Sequence, residues 1–286
     1  MQSVHDSQAS SVPVSGKHLA GALGRTLLLL PHSDDECAAG GLLQHLTSPS
    51  VLFLTNSAPR DAYFWQAHGS RRQYEEVRRN ESRASLAALG FTDVNFGHDY
   101  ERPADQELYR DLPIALDRAF ELAQSRSFRT VLAPAYEGGH PDHDAASFIA
   151  AQVAARFGLE HWELPYYHRT RSSKFRVQTF LPHPAGGIEF RLALTPAECS
   201  RKETMWDTYR SQSKVLADFD PARELYRRAP QYDFARPPHA GVLNYEAWGW
   251  ANGAEVTAAF TQVLEHLQIA TPASAVPVAA RLEASA

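Results

Sequence analysis

Cysteine and long apolar runs are the two features that this sequence has least of. Only Cys37 and Cys199 occur, in no paired motif, which argues against a disulfide framework and against a cysteine zinc site. No apolar run approaches the roughly 18 residues of a membrane span, and the N-terminus lacks a charged-then-apolar signal sequence. We therefore expect a cytoplasmic protein with no membrane partner.

Excess positive charge is also missing. The 28 Lys and Arg residues are outnumbered by 33 Asp and Glu residues, which gives a formal net charge of −5 and argues against a nucleic-acid partner. The hydrophobic share of 44% is ordinary for a globular core, and 286 residues allow one large domain with an added part. A homo-oligomer is left open by these numbers.

Short apolar segments alternate with helical ones along the first half of the chain. We predict strands at 26–31, 51–55, 93–97, 129–133 and 162–166, with helices at 36–47, 70–89, 107–125 and 142–157. This order predicts an α/β fold with a Rossmann-like, mostly parallel sheet flanked by helices. Dinucleotide binding is not expected, because no G-x-G-x-x-G follows the first strand.

The C-terminal part is expected to be smaller, irregular and partly β. Residues 174–194 look like two strands joined by a turn at 182–187, residues 196–209 and 254–268 like helices, and residues 210–252 are irregular with no role that we could assign. We predict one domain over 23–270, with a core at 25–170 and additions at 171–270. Composition predicts disordered tails over 1–22 and 271–286.

Two short clusters of histidine and carboxylate residues follow predicted strands. Pro31-His32-Ser33-Asp34-Asp35-Glu36 comes after the strand Thr26–Leu30, and Gly138-Gly139-His140-Pro141-Asp142-His143-Asp144 comes after Thr130–Ala133. Binding residues in open α/β sheets lie at such carboxyl strand ends. The two clusters can therefore converge on one divalent metal with an open position for water.

Each cluster also has a purely structural interpretation. Ser33-x-x-Glu36 is a capping box, and Pro141 with acidic neighbours is a good helix start. A histidine at both of the matching strand-to-helix turns favours the shared metal site over two independent helix caps.

The ordered motifs resemble the PIG-L/LmbE-like family of zinc-dependent N-deacetylases. The family's (A/P)-H-P-D-D-E matches residues 31–36, and its H-P-D-H matches residues 140–143. Residues 54–59 look like its T-(D/N)-G-A-P strand end, and Arg78-x-x-Glu81 before Leu89-Gly90 looks like its R-x-x-E helix. The resemblance covers about residues 25–160. Ser33 replaces the motif's proline, so we expect the same loop with less rigidity.

The resemblance implies a role for each motif residue. His32, Asp35 and His143 would bind one Zn²⁺ per chain, although another divalent metal is left open. Asp34 would be the general base, and His140 would stabilise the oxyanion or protonate the leaving amine. Asp142 would orient a histidine. Adjacent carboxylates diverge, so one ligand and one free base is also the natural chemical division of Asp34 and Asp35.

The implied reaction is hydrolysis of an N-acetyl group on an amino sugar of the N-acetylglucosamine type, or on its conjugate, which would be the small-molecule partner. Two alternatives remain at this stage. One is another metal-dependent hydrolysis, such as phosphoester cleavage. The other is a non-catalytic sugar-binding protein with a vestigial site.

Candidate substrate-binding residues follow the same predicted strands. The loop 56–70 offers Arg60 and Trp65, which could bind a sugar or pack down as a lid. Asp99 follows the strand at 93–97. Arg78 matches the family's helix arginine, and its alternative is a surface salt bridge with Glu75 or Glu81. The remaining aromatic pair, Trp248 and Trp250, is interpreted as core packing.

Overall fold

A computed structural model describes residues 11–99 and 101–270. In these ranges the strands are β1 (Val12–Ser15), β2 (Thr26–Leu30), β3 (Ser50–Phe53), β4 (Val94–Phe96), β5 (Thr130–Pro134), β6 (Glu160–Leu164), β7 (Tyr167–Arg169), β8 (Phe175–Val177), β9 (Phe190–Ala193) and β10 (Leu225–Arg228). The α-helices are α1 (Gly16–Leu23), α2 (Gly40–Leu43), α3 (Arg71–Ala87), α4 (Leu112–Ser125), α5 (Pro141–Phe157), α6 (Pro196–Asp207), α7 (Ser213–Leu216), α8 (Asn244–Ala247) and α9 (Gly253–Ala270).

One sheet of eight strands organises the molecule, in the order β1-β9-β10-β6-β5-β2-β3-β4. The run from β6 to β4 is parallel throughout. Strand β10 is antiparallel to both of its neighbours, and β1 is parallel to β9. A separate antiparallel pair joins β7 and β8. The predicted α/β class with a mostly parallel sheet is therefore confirmed.

Both faces of the central sheet are covered by helices. Every residue of β2 and of β5 is buried, as expected for parallel strands with a helical layer on each side. Alternate leucines of β2 enter different cores: Leu27 and Leu29 pack with α4, α5 and α9, whereas Leu28 and Leu30 pack with α1, α2 and α6. No helix in the described ranges is long and apolar enough to cross a membrane.

The helix predicted at 36–47 is wrong in length. A 3₁₀ segment covers Asp35–Ala39, and α2 adds only Gly40–Leu43. Backbone N–H groups of Gly41 and Leu42 donate to the carboxylate of Glu224, at 2.6 and 3.1 Å. A Cβ at Gly41 would lie 2.8 Å from that carboxylate, so this close approach requires glycine. A distant residue thus fixes the start of α2.

The two strands and the turn predicted over 174–194 are present as β8, β9 and the turn at 184–185. The two strands do not pair with each other: β8 pairs with β7, and β9 lies between β1 and β10. The irregular segment 210–252 contains α7, β10 and α8, and its strand β10 supplies the neighbour that β9 needs.

The tail predicted over 1–22 is wrong for residues 12–22. Strand β1 pairs with β9, with Val12 opposite Phe190, and helix α1 buries Leu19 and Leu23 in the core. These long-range contacts outweigh the biased local composition. The rest of that prediction, residues 1–10, and the predicted tail 271–286 lie outside the described residues.

Candidate active site

Two turns at the same edge of the sheet form the candidate site. Strands β2 and β5 are parallel neighbours, with Leu28 opposite Leu132, so their carboxyl ends lie side by side. The first turn, residues 31–35, follows β2. The second turn, residues 135–140, follows β5 and leads into α5. The two sequence clusters therefore meet at the place where open α/β sheets bind ligands.

Hydrogen bonds from the strand end after β3 hold the first turn. The hydroxyl of Thr55 donates to the carbonyl oxygen of Pro31 at 2.8 Å. The backbone N–H of Ser33 donates to Oγ of Ser57 at 2.8 Å. Proline has no N–H, so this second bond exists only because position 33 is not proline. It compensates in part for the rigidity that the motif's proline would supply.

The capping box expected in the first turn is not formed. The carboxylate of Glu36 accepts the N–H of Asp34 at 3.2 Å rather than that of Ser33. Asp34 has φ of 139°, a backbone conformation that side-chain-bearing residues rarely adopt. Such strain is concentrated at functional sites, where the surrounding structure enforces it.

The second turn is a helix start, as the structural interpretation predicts. Pro141 is the first residue of α5, and Nδ1 of His140 accepts the N–H of Asp142 at 3.1 Å. The carboxylate of Asp144 accepts the N–H groups of Glu137 and Gly138 at 3.1 and 3.0 Å. The helix start is compatible with a metal site, because it places the side chain of His143 next to the first turn.

His32, Asp35 and His143 bring three donor atoms together. Asp35 Oδ2 lies 3.3 Å from His32 Nδ1, and Asp35 Oδ1 lies 3.2 Å from His143 Nε2. All three residues are buried, and the donor atoms lie within 4.8 Å of one another. Tetrahedral zinc with bonds of about 2.0–2.1 Å needs donor atoms about 3.3 Å apart. These residues therefore fit a divalent metal of that size.

The second nitrogen of His32 is held by Asp142. Oδ2 of Asp142 lies 3.0 Å from Nε2 of His32. The same carboxylate accepts the N–H groups of Gln106 and Leu108, at 2.7 and 2.9 Å, so its position is fixed from two sides. A carboxylate behind a metal-binding histidine sets the tautomer and the ring orientation.

Asp105 is a member of the site that the sequence did not single out. Its Oδ1 lies 3.4 Å from Nε2 of His32 and 3.6 Å from Nε2 of His140. Burial raises its pKa, but His32, His140 and Arg78 together lower it to about 2. The sequence signal for Asp105 is its position after β4, although the same strand end also points to Asp99, which lies outside the site. A second possible donor group, which shares His32, consists of His32, Asp105, His140 and Asp142.

Burial disfavours the charged form of the ionisable side chains in the site, and neighbouring charges determine the direction in which each pKa shifts. Burial would lower the pKa of His32, but Asp105 and Asp35 raise it well above its usual value. Burial would raise the pKa of Asp35, but His143 and His32 hold it far below its usual value. Burial, with His32 nearby, places the pKa of His140 well below its usual value. Asp35 is thus held as a carboxylate, the form that binds a metal.

Arg78 is buried beside Asp34 and not at the surface. Their ion pair measures 3.0 Å, and Nε of Arg78 donates to the carbonyl oxygen of Ser33 at 3.0 Å. Burial raises the pKa of Asp34 to about 7, against the opposing charge of Arg78. The alternative salt bridges are absent among the described residues, because Glu75 binds Arg79 and Glu81 binds the Ser211 backbone.

A cavity of about 150 Å³ opens onto these residues. Asp34, Arg78 and Asp105 line it together with the three candidate metal ligands and His140. Its walls are largely aromatic and come from distant segments. Tyr167, Phe219 and Trp250 are among them. The cavity thus combines a charged floor with apolar walls, as small-molecule sites usually do.

Three predicted substrate contacts do not line this cavity. Arg60 is exposed and pairs with Glu107 at 2.7 Å. Trp65 donates its indole N–H to the carbonyl oxygen of Pro59 at 3.1 Å. Asp99 is exposed and accepts backbone N–H groups of its own loop. The polar groups of all three residues therefore hydrogen-bond to other parts of the protein. The aromatic residue of the 56–70 loop that lines the cavity is Phe64.

The core-packing interpretation holds for Trp250, which packs against the hydrophobic core, but is wrong for Trp248. Trp248 is 44% exposed. The Trp250 ring lies 4.9 Å from the ring of His140 and lines the cavity. The segment 210–252, for which the sequence analysis predicts no role, therefore contributes to the site.

Comparison with known proteins agrees with the motifs. Residues 27–154 match the family model described as PIG-L, GlcNAc-PI de-N-acetylase. The chain contains a PIG-L-family domain. A curated relative from Streptomyces fradiae, 2'-N-acetylparomamine deacetylase, is 35% identical over 138 residues, which are 42% of this chain and 48% of the relative. The chain thus matches the curated relative over about half of that protein's length.

Solved structures share the fold of about 70% of this chain. A deacetylase triple mutant from the teicoplanin biosynthetic pathway (Orf2*T) has a TM-score of 0.57 at 18% identity and covers 73% of this chain and 99% of its own. The A40926 pseudoaglycone deacetylase Dbv21 has a TM-score of 0.54 at 17% identity, with coverages of 72% and 97%. At such identities the likeness shows the fold alone.

Proposed function

We propose that this protein is a metal-dependent N-deacetylase that removes an acetyl group from an amino sugar of the N-acetylglucosamine type, or from a small-molecule conjugate of one. The observation that carries the proposal is the buried set of His32, Asp35 and His143, with Asp34 beside it on the cavity. The match to the PIG-L model and the name of the Streptomyces relative support the amide as the bond that is cleaved.

The three donor residues would hold the metal, and we propose Zn²⁺ from the two-nitrogen, one-carboxylate set. When bound, such an ion supplies Lewis acidity to the acetyl carbonyl and lowers the pKa of a water molecule. Asp142 would keep the imidazole of His32 in the required orientation through its contact with Nε2.

Asp34 would accept the proton of the attacking water. It lies next to the ligand Asp35, yet its own carboxylate pairs with Arg78, so it remains outside the donor set. Arg78 would hold this carboxylate in place, since its guanidinium is itself fixed by the carbonyl oxygen of Ser33. A positioned base of this kind contributes about 10²–10⁴ in rate.

His140 would donate a hydrogen bond to the oxygen that gains negative charge. Its Nδ1 already accepts the N–H of Asp142, so the hydrogen of the neutral ring is on Nε2. That nitrogen lies 3.6 Å from Asp105 Oδ1, on the cavity. Nε2 can therefore donate a hydrogen bond to the oxyanion, and the proton that Asp34 accepts from the attacking water would pass to the departing amine.

The proposal is tested by acetate release from N-acetylglucosamine, N,N'-diacetylchitobiose and 2'-N-acetylparomamine. We expect acetate and free amine in equal amounts from at least one of them, loss of activity after chelation, and recovery on addition of Zn²⁺ or another divalent metal. Undiminished release after complete metal removal would reject metal dependence. Absence of acetate release from all three by the metal-loaded protein would reject deacetylation of this substrate class.

A further inference from the structure

A continuous series of aromatic rings leads from the two turns to the protein surface. The Trp250 ring, 4.9 Å from His140, lies 4.6 Å from the ring of Trp248. By a second route, the Tyr167 ring lies 5.6 Å from His143 and 5.8 Å from Trp248. Both routes end at the same tryptophan, outside the set of residues that line the cavity.

Phe175 completes this outer cluster. Its ring lies 5.9 Å from Tyr167 and 6.0 Å from Trp248, so the three rings are in mutual contact. Phe175 and Trp248 remain 40% and 44% exposed. Among the exposed aromatic residues of the described ranges, which also include Tyr63, only these two are neighbours. Adjacent exposed rings at the end of a ligand cavity indicate a binding surface.

The cavity is too small for a complete conjugate. It encloses about 150 Å³, whereas sites that enclose a whole small-molecule ligand measure about 300–1,000 Å³. Only the reacting acetamido sugar, or part of it, would be enclosed. Whatever is attached to that sugar has to lie beyond the cavity, and the series of rings runs in that direction.

We propose that Trp248 and Phe175 form an outer subsite that binds a second ring of the substrate, joined to the acetylated amino sugar. Its ligand chemistry is a flat ring face, either the CH-rich face of another sugar or an aryl group, because exposed indole and phenyl faces favour both. The subsite rests on the proposed function for its place in the reaction. It predicts that the protein prefers a conjugate to a free monosaccharide.

The kinetic test compares one-ring and two-ring substrates in the metal-loaded enzyme. The substrates are N-acetylglucosamine, N,N'-diacetylchitobiose and phenyl N-acetyl-β-glucosaminide. For Trp248→Ala and Phe175→Ala, we expect the ratio of kcat/KM for a two-ring substrate to that for the monosaccharide to fall by about three- to tenfold, mainly through KM. The two two-ring substrates distinguish a sugar from an aryl group. Ile114→Ala, an exposed apolar residue on α4 that does not line the cavity, should leave the ratio unchanged.

A binding measurement separates this proposal from the deacetylase proposal. Titration of the intact protein with the same three compounds, followed by tryptophan fluorescence, should show tighter binding of the two-ring ligands, and the difference should be lost in Trp248→Leu. That result without any acetate release would reject the deacetylase and keep the subsite. Equal changes for all three ligands, or no preference for two rings in the parent protein, would overturn the subsite.

Discussion

Oδ2 of Asp142 lies 3.0 Å from Nε2 of His32, although the two residues are 110 positions apart in the chain. The contact joins the start of α5 to the turn after β2. It also assigns the two imidazole nitrogens: Nε2 faces Asp142, and Nδ1 faces Asp35. The orientation of a candidate metal ligand is therefore fixed by a residue from the other sequence cluster.

Replacing Asp142 with asparagine should weaken metal binding by about 10- to 100-fold, the usual effect of removing the partner behind a metal-bound histidine. Competition titration against a chelating dye measures the affinity. Asp144→Asn is the matched control, because Asp144 also accepts two backbone N–H groups at the start of α5, but from the second turn itself. Equal losses of affinity in both variants would show that helix-start stability, and not the orientation of His32, is responsible.

Asp34→Asn should keep the metal and the fold, because Asp34 lies outside the donor set. Turnover should fall by about 10²–10⁴ with the assigned base removed. Steady-state acetate release together with metal analysis gives both quantities. Turnover close to that of the parent would remove Asp34 from the mechanism, whereas loss of metal would mean that Asp34 and Asp35 have exchanged roles.

His140→Ala should lower kcat by about 10²–10³, the usual cost of one hydrogen-bond donor to an oxyanion, and leave the metal content unchanged. The proposed donor is Nε2, which faces Asp105 on the cavity and not Asp35. Parallel measurement of kcat and of metal stoichiometry decides the question. A variant that has lost its metal would place His140 among the ligands, as the second possible donor group would allow.

The buried pair of Lys202 and Glu224 should be needed for stability. Both side chains are fully buried, and Nζ of Lys202 lies 2.6 Å from the Glu224 carboxylate that caps α2. Lys202→Met leaves this charge without its partner and should lower the free energy of unfolding by about 3–5 kcal/mol, as measured by urea denaturation. Arg118→Met breaks the exposed pair with Glu121 and should cost less than about 1 kcal/mol. Equal effects would contradict the difference in burial.

His161 should make the protein sensitive to acid. Burial alone lowers its pKa to about 4 from 6.5, and its Nε2 is buried without a hydrogen-bond partner in the described structure. A lowered histidine pKa means that the unfolded chain takes up the proton first, so stability is complete above pH 6.5 and is lost as the pH falls toward 4. His161→Phe should flatten this loss in a series of melting temperatures. The control is His18→Phe, at an exposed position on α1, which should leave the parent's pH profile intact. An unaltered profile in His161→Phe would show that His161 is not the source of the acid sensitivity.

The sequence predicts those features of the fold that depend on residues close together in the chain. Strands β2 and β5 are continuous apolar runs, and the residues after them share one edge of the sheet, so His32 and His143 could be placed together from the pattern alone. The start of α5 could also be predicted, because Pro141 and its acidic neighbours act on their own helix.

Long-range partners explain what the sequence could not predict. The carboxylate of Glu224 accepts a backbone N–H group of α2 although it lies 183 positions away in the chain. Strand β1 likewise forms by pairing with the distant strand β9. Asp105 and Trp250 enter the site on irregular segments, where no periodicity marks the direction of a side chain. The residue type of Arg60 predicts a substrate contact, but its guanidinium donates to the carboxylate of Glu107 instead.

Metal stoichiometry in single alanine variants is the most direct test of the proposed ligand set. We expect one divalent ion per chain in the parent and in His140→Ala, and loss of most of that ion in His32→Ala, Asp35→Ala and His143→Ala, each still folded by circular dichroism. A folded His143→Ala protein that retains a full equivalent of metal would contradict this ligand set.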